Sequence, residues 1–405
     1  MKRKLLSTLV AGLGLAGAGM GQAQISDNVV KIGVLNDMSG IYADIAGPNS
    51  VVAARMAVED FLKTSKSGLK VEVVSADHQN KPDVGSNIAR QWYDKDGVDA
   101  IFDVPTSSVA LAVSQITREK GKAFINSGAG TADLTGKACS PNTVHWTYDT
   151  WMLAHGTGSA IVKNGGDSWF FLTADYAFGH ALEKDTEEVV LKSGGKVLGK
   201  VRTPFPTQDF SSFLLQAQSS KAKIIGLANA GGDTINAIKQ ASEFGIVKGG
   251  QNLAGLLVFI TDIHGLGLNT AQGLLLTETF YWDLNDQTRA WTKRYQAANK
   301  GKIPSSGVAG VYAGVLHYLK AVEAAKTDDG TKVVAKMKEL PTDDPLFGKG
   351  SIRADGRKIH PAYLFEVKKP SESKGPYDYY KLRSTIPAEQ AFRPLNEGGC
   401  SLVKS

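Results

Sequence analysis

Two hydrophobic rhythms alternate along this chain. Val30 to Leu35 is a short apolar run rich in β-branched residues, bounded by Asn36-Asp37 and Gly40, and it reads as a buried strand. The next segment, NSVVAARMAVEDFLK, places apolar residues at helical spacing. The pair then repeats: strand VEVVSA, helix DVGSNIARQWYDKD, strand AIFDV, helix SSVALAVSQITREKG, strand AFIN. After about residue 150 the alternation restarts with helix WMLAHGTGSAIVKN, strand SWFFLT, helix GHALEKDTEEVVLKSG and strand KVLGKV. Helix DFSSFLLQAQSS, strand KIIGLAN, helix TINAIKQASEFG and strand LLVFIT follow. Helices are predicted at about 286–300, 307–326 and 331–340, then a strand AYLFEV, and an irregular stretch from about 370. Strict strand–helix alternation predicts parallel sheets covered by helices on both faces. Its restart predicts two such lobes.

The first residues do not fit that rhythm. AGLGLAGAG contains Gly12, Gly14 and Gly17, a literal G-x-G-x-x-G. A dinucleotide turn needs a strand before its glycines and a helix after them. Here a basic start, Met1-Lys2-Arg3-Lys4, leads directly into the apolar run, and small residues follow at Gly21 and Ala23. That is the pattern of a secretory signal, residues 1–23, with cleavage expected after Ala23. No later stretch is apolar and long enough to span a bilayer, and no Cys follows the cleavage region to carry a lipid. A mature chain in the periplasm is the expectation.

Composition changes little in this picture. The 405 residues are 42% hydrophobic and 21% charged, an ordinary globular balance, and the length suits two domains. The net charge of +6 includes Lys2, Arg3 and Lys4, so the mature chain carries 6 − 3 = +3. Its lysines form no basic block, which argues against nucleic acid as a partner. Cys139 and Cys400 are the two cysteines, and an even count in an exported chain points to one disulfide. Two free buried thiols are the alternative.

Catalytic and metal motifs are missing. The seven histidines stand isolated, and neither H-E-x-x-H, C-x-x-C nor G-x-S-x-G occurs. No metal, cofactor or catalytic set is expected. Strand ends are better ground, because open α/β sheets bind ligands outside the carboxyl ends of their strands. FDVPTSS puts Thr106, Ser107 and Ser108 at a helix start, where free N–H groups suit a carboxylate; Ser107 as a plain N-cap is the simpler reading. NSGAGTADLT sets Gly128 and Gly130 beside Thr131, and LTADYAFG ends a second-lobe strand with Asp175, Tyr176 and Phe178.

VVKIGVLNDMSGIYADIAG, TSSVALAVSQITREKGKAFINSGAGTADLTG, PNTVHWTYDT and FLTADYAFGHAL together resemble the leucine/isoleucine/valine-binding family, the type I periplasmic solute-binding proteins of ABC importers. The stretch ACSPNTVHWTYDT also resembles members that take aromatic acids. The resemblance implies two doubly wound parallel-sheet lobes joined by three crossovers. The division would be 24–147 with 280–352 for the first lobe, 148–279 with 353–385 for the second, and a tail over 386–405. It implies a first-lobe clamp of Ser107 and Gly128 to Thr131, with Tyr42, Tyr148, Tyr176 and Phe178 around the ligand and hinges near Tyr148 and Phe280. Gly231 falls where amino-acid binders often carry a bulky aromatic. The acid for a ligand ammonium falls near Thr261-Asp262, with Asp233 as a second candidate. The implied function is capture of a small organic carboxylate, a branched-chain or hydrophobic amino acid or an aromatic acid, by a monomer that closes on it and delivers it to a membrane permease. A ligand-sensing receptor module and an α/β hydrolase-type enzyme are the rival readings.

Overall fold

The computed structural model describes residues 25–404, so the expected signal segment lies outside the described residues. Five parallel strands form the first sheet: β1 (Val30–Asn36), β2 (Val71–Asp77), β3 (Ala100–Asp103), β4 (Ala123–Asn126) and β5 (Thr143–His145), in the order β2-β1-β3-β4-β5. The crossover helices are α1 (Gly47–Thr64), α2 (Pro82–Asp94) and α3 (Ser107–Lys120). β1 shows why its sequence is apolar almost throughout. Val30, Ile32 and Val34 pack toward α1, while Leu35 packs with α2 and α3 on the opposite face. Both faces are covered, so polar alternation would be out of place. Gly33 is required where the sheet meets α2, since a Cβ there would lie 2.4 Å from the Trp92 ring.

The second parallel sheet holds β6 (Ser168–Ala174), β7 (Lys196–Thr203), β8 (Ile224–Ala228) and β9 (Asn252–Gly255), ordered β7-β6-β8-β9. Helices α4 (Ala177–Lys192), α5 (Ser211–Ser219) and α6 (Gly232–Glu243) connect them, and a short α7 (Ile260–Leu266) follows. β10 (Leu275–Glu278) comes next, after which α8 (Asp286–Ala298), α9 (Ser306–Ala325) and α10 (Gly330–Glu339) return to the first lobe. Val308, Val311, Val315 and Leu319 of α9 join the same core as Val34 and Phe61. A small antiparallel sheet of β11 (Thr342–Asp344), β12 (Gly348–Ile352) and β13 (Lys358–Ile359) touches the first sheet through a bridge between His145 and Arg357. The chain then goes back to pair β14 (Ala362–Val367) and β15 (Tyr380–Ile386) with β10. It thus passes between the lobes after β5, after β10 and after β13.

Two sequence expectations need correction. Leu256 to Thr261 is not a strand; β9 ends at Gly255 and Ile260 already opens α7. The run is apolar because Leu256, Leu257, Val258 and Phe259 are all buried in the turn that faces the other lobe, not because it alternates in a sheet. The stretch from 370 is not wholly irregular either. β15 lies within it, exposed along most of its length, so its side chains are polar and conceal the strand.

Cys139 and Cys400 form a disulfide that closes a sequence separation of 261 residues. Loop closure on that scale removes much freedom from the unfolded chain. The double substitution Cys139→Ser with Cys400→Ser is expected to cost about 2–5 kcal/mol of stability. Urea denaturation with and without the bridge reads that difference directly.

Candidate functional site

The carboxyl ends of the two parallel sheets face each other, and the loops that leave them meet. On the first lobe, the segment after β1 is shaped by Asp37, whose carboxylate accepts from the N–H groups of Gly40 (2.7 Å) and Tyr42 (2.9 Å) and from the Asn80 amide (2.6 Å). That turn carries Tyr42 inward. At the end of β3 the backbone is strained, with Asp103 at φ +75° and Val104 at φ +57°, before Pro105 and Thr106 lead into α3. Thr106 occupies the N-cap position but makes no side-chain cap; its hydroxyl donates to the Asn80 amide oxygen instead. The first N–H groups of α3 therefore lack the usual side-chain acceptor at a buried helix start. Ser107 is thus the first helical residue, not the cap, and its hydroxyl accepts from the Thr131 N–H at 3.2 Å.

The loop after β4 lies against that helix start. A Cβ on Gly128 would fall 2.5 Å from the Asp103 carboxylate, and one on Gly130 would fall 2.8 Å from the Phe178 ring. Tyr148, just past the first crossing, donates its hydroxyl to the Gly128 carbonyl. Gly128, Gly130, Thr131, Ser107 and Tyr148 are therefore one connected group.

The second lobe meets this group with aromatic rings. Tyr176 stacks on Phe205 with ring centroids 4.1 Å apart, and the Tyr176 and Tyr42 hydroxyls share a hydrogen bond of 2.5 Å across the lobes. Gly231, at φ +56°, lets the second-lobe backbone approach Ile41 and Tyr42; a Cβ would sit 2.8 Å from the Ile41 carbonyl oxygen. Where the two lobes meet, a narrow gap with room for about one water is walled by Tyr42, Ile45, Pro105, Gly128 and Gly130 on one side. Tyr148, Tyr176, Phe178, Ala230 and Leu257 complete it. Its volume of about 10 Å³ is far below the ~300–1,000 Å³ of small-molecule pockets, so an organic guest requires the lobes to stand further apart than they do here. A wider hollow opens beside Ile224, Leu253 and Leu275, at the end of the second sheet away from the cleft. Only the cleft cavity gathers side chains from both lobes at their strand ends.

Neither candidate acid is among the residues that wall the cavity. Asp262 is turned to its own helix, where its carboxylate accepts from the Phe259 N–H at 2.9 Å and closes the first turn of α7. Asp233 is buried in the first turn of α6 beside the Tyr42–Tyr176 pair. One of its oxygens accepts from the Thr207 N–H at 3.0 Å and the other has no partner. Burial pushes the Asp233 carboxyl up to about 7, against the pull of the Thr207 N–H.

Sequence reasoning missed Ile45, Pro105, Phe205, Ala230 and Leu257. Phe205 could have been found: it lies in RTPFPTQ, directly past the carboxyl end of β7. Leu257 carried no such signal, since it reads as one more apolar residue in LLVFIT. Among the described residues no group of three or more His, Cys, Asp and Glu side chains could hold a metal, and no helix is long and apolar enough to cross a membrane.

Two α/β lobes that close around a small cavity at their strand ends define a solute-binding clamp. The chain belongs to the periplasmic binding protein family, which it matches over residues 29–376. A crystal structure of a periplasmic binding protein from Burkholderia mallei is 56% identical, with a TM-score of 0.91, covering 93% of this chain and all of that one. A branched chain amino acid ABC transporter periplasmic ligand-binding protein from Burkholderia xenovorans is 40% identical, with a TM-score of 0.81, and the match covers 92% of this chain and 99% of that one. A Leu/Ile/Val-binding protein homolog from Brucella melitensis is 27% identical over 385 residues, 91% of this chain and 94% of its own.

Two measurements probe this geometry. Gly231→Ala adds a side chain at positive φ and against Ile41, so the lobes should separate at this point while each core stays intact. Affinity for the bound solute is expected to fall about 10–100-fold, roughly 1.4–2.7 kcal/mol, with an unchanged circular dichroism spectrum. Asp233 is buried and its carboxyl is pushed up to about 7, so a separation of the lobes that wets it would favour its ionised form. Protonation therefore favours the closed state. The group costs closure nothing below about pH 4, costs progressively more from pH 4 to 7, and adds nothing further above that. For a solute without an amino group, Kd is expected to weaken by at most about tenfold per pH unit up to pH 7 and then level off. Asp233→Asn should flatten the profile.

Proposed function

We propose that this chain is an exported solute receptor of an ABC importer that captures a compact apolar monocarboxylate, an aromatic acid above all, by lobe closure and without altering it. The observation that carries the reading is the composition of the cavity wall: tyrosine, phenylalanine, aliphatic side chains and glycine backbone, with no carboxylate. An ammonium group left unpaired among such residues would be costly, whereas an aromatic ring finds ring and aliphatic surfaces in Tyr148, Tyr176 and Phe178. The uncapped start of α3, with Ser107 and the Thr131 segment beside it, supplies the donors that a carboxylate needs. The proposed lobe division keeps the first two expected boundaries, with hinges near Tyr148 and Phe280, and moves the third from residue 353 to just past β13; the proposed state is a monomer in the periplasm that presents its closed form to a membrane permease.

A second reading has one observation in its favour. The partnerless oxygen of Asp233 lies beside Tyr42 and Tyr176 and is a candidate acceptor for the ammonium of a leucine-type ligand. The two readings separate in a calorimetric panel of benzoate, 4-hydroxybenzoate, leucine, isoleucine and valine. The first predicts one-to-one binding of the benzoates with recovery of unchanged compound, and no heat from the amino acids. Binding of leucine alone, tightening rather than weakening as pH rises toward 7, would replace it with the second. Conversion of any of these compounds would overturn both.

A further inference from the structure

The C-terminal tail has no place in a clamp that already has three crossings, yet it is fastened across the hinge. β15 ends at Ile386 in the second lobe. Ala391 and Phe392 then pack into the core cluster that holds Tyr148 and Phe171. The Phe392 ring lies 4.3 Å under the Arg357 guanidinium and 5.1 Å from the His360 ring. The two partners flank β13 at the third crossing, and Arg357 is fully buried and also bonds the Asp149 carboxylate and the Thr147 carbonyl of the first. One residue later the tail enters the first lobe. Arg393 donates to the Ala132 carbonyl at 2.8 Å, and Arg353 donates to the Arg393 carbonyl at 2.8 Å. Gly398 comes so close to Gly136 that a Cβ on the latter would lie 2.8 Å from its carbonyl oxygen. Cys400 finally closes the disulfide to Cys139.

The segment clasped in this way, residues 132–139, continues directly from Gly128, Gly130 and Thr131 of the cleft. Its other fastenings are local: the Ala132 N–H donates to the Thr150 hydroxyl at 3.1 Å and the Asp133 N–H to the Thr131 hydroxyl at 3.3 Å, a 3-10 turn spans Ala132–Thr135, and Leu134 packs into the first-lobe core with Val109 and Ala129. We infer that the disulfide-fastened tail is a splint that holds the 128–136 loop and the hinge in their binding geometry, so that the redox state of Cys139 and Cys400 sets how well the cleft holds its ligand. Both cysteines are nearly buried, at 5% and 6% exposure, so the fastening depends on the tail's staying docked. A fixed loop loses less freedom when ligand arrives, which favours binding and slows release. Reduction by a dithiol converts the bridge to two thiols and the dithiol to its own disulfide. The tail is then held on the first lobe by the Arg393–Ala132 and Arg353–Arg393 hydrogen bonds and the Gly136–Gly398 contact. A chain that is still reduced, before oxidation outside the cytoplasm, would be a weaker clamp. That last consequence rests on the exported solute-receptor reading; the mechanical role of the splint does not.

Hydrogen–deuterium exchange tests it without reference to any ligand. Ligand-free protein is compared in the oxidised form, after dithiothreitol with two thiols counted per chain, and as Arg393→Ala with its disulfide intact. Exchange of the amides in 128–136 is expected to speed up at least tenfold on reduction, and by a smaller factor in Arg393→Ala. Where benzoate binds the oxidised protein, its Kd should weaken about 3–30-fold on reduction, mostly through faster release. If only residues 388–404 lose protection while 128–136 stays as before in both forms, the splint is refuted and the disulfide merely anchors the tail. If benzoate does not bind the oxidised protein, the proposed ligand class fails, and the exchange of 128–136 still decides the splint.

Discussion

The cleft hangs on one buried carboxylate. Asp103, at the end of β3, accepts from the Asn36 amide at 2.6 Å, the Ser50 hydroxyl at 2.5 Å and the Ser127 hydroxyl at 2.9 Å. These donors come from the end of β1, the first turns of α1 and the end of β4. Burial pushes the Asp103 carboxyl up, and the three donors pull it back down. The same group therefore ties together every first-lobe loop that reaches the cavity: Asn36 leads to the Tyr42 turn, Ser127 to Gly128, and Asp103 itself to Ser107. Its left-handed backbone is the price of turning the chain sharply toward the helix start within three residues.

What that hub arranges is a meeting of surfaces with little tolerance. The lobes approach through glycine backbone at Gly130, Gly231 and Gly232, against rings at Phe178 and Tyr42 and the Ile41 backbone. Only at Gly231 does the backbone also demand a glycine conformation; at Gly130 the requirement is space alone. Tyr42 and Tyr176 bridge the gap by sharing a hydroxyl hydrogen bond, so each satisfies the other when both are taken from water. The Asp233 oxygen behind them has no such partner.

Much of this was legible in the chain. Alternating strand and helix patterns identified both sheets because a doubly covered parallel sheet writes continuous apolar runs, as in β1 and β6. The strand-end rule pointed to Gly128, Gly130 and Tyr176, which line the gap, whereas Ser107 and Thr131 stand behind it, joined to each other by the Thr131 N–H to Ser107 hydroxyl bond. The failures share a cause. Leu257 and Ala230 are ordinary apolar residues whose role depends on which lobe lies opposite, and that is a long-range fact. Asp262 matched the position expected of an acid near a ligand, yet three residues separate it from the Phe259 N–H that it caps, and that local bond takes up one of its oxygens. The tail looked irregular because its order comes from contacts with the hinge and from Cys139, none of which leaves a periodic trace.

These features together make closure conditional. Tyr42, Tyr148 and Asp233 are at most 2% exposed and Tyr176 is partly buried where the lobes meet, so bringing the lobes together carries a cost in desolvation. The return is one hydroxyl–hydroxyl bond and a modest apolar contact around a small cavity. An empty cavity gives its lining nothing to touch, and the uncapped N–H groups at the start of α3 gain nothing from closure either. On the proposed reading, a guest that lies between the lobes and accepts from those donors would supply both missing terms at once. Only then do the contacts outweigh the desolvation, so the balance between open and closed is set by the occupant and not by the lobes alone. The Asp103 hub and the clasped 128–136 loop act on the same balance from the protein's side, because every degree of freedom they remove beforehand is one that the guest need not remove.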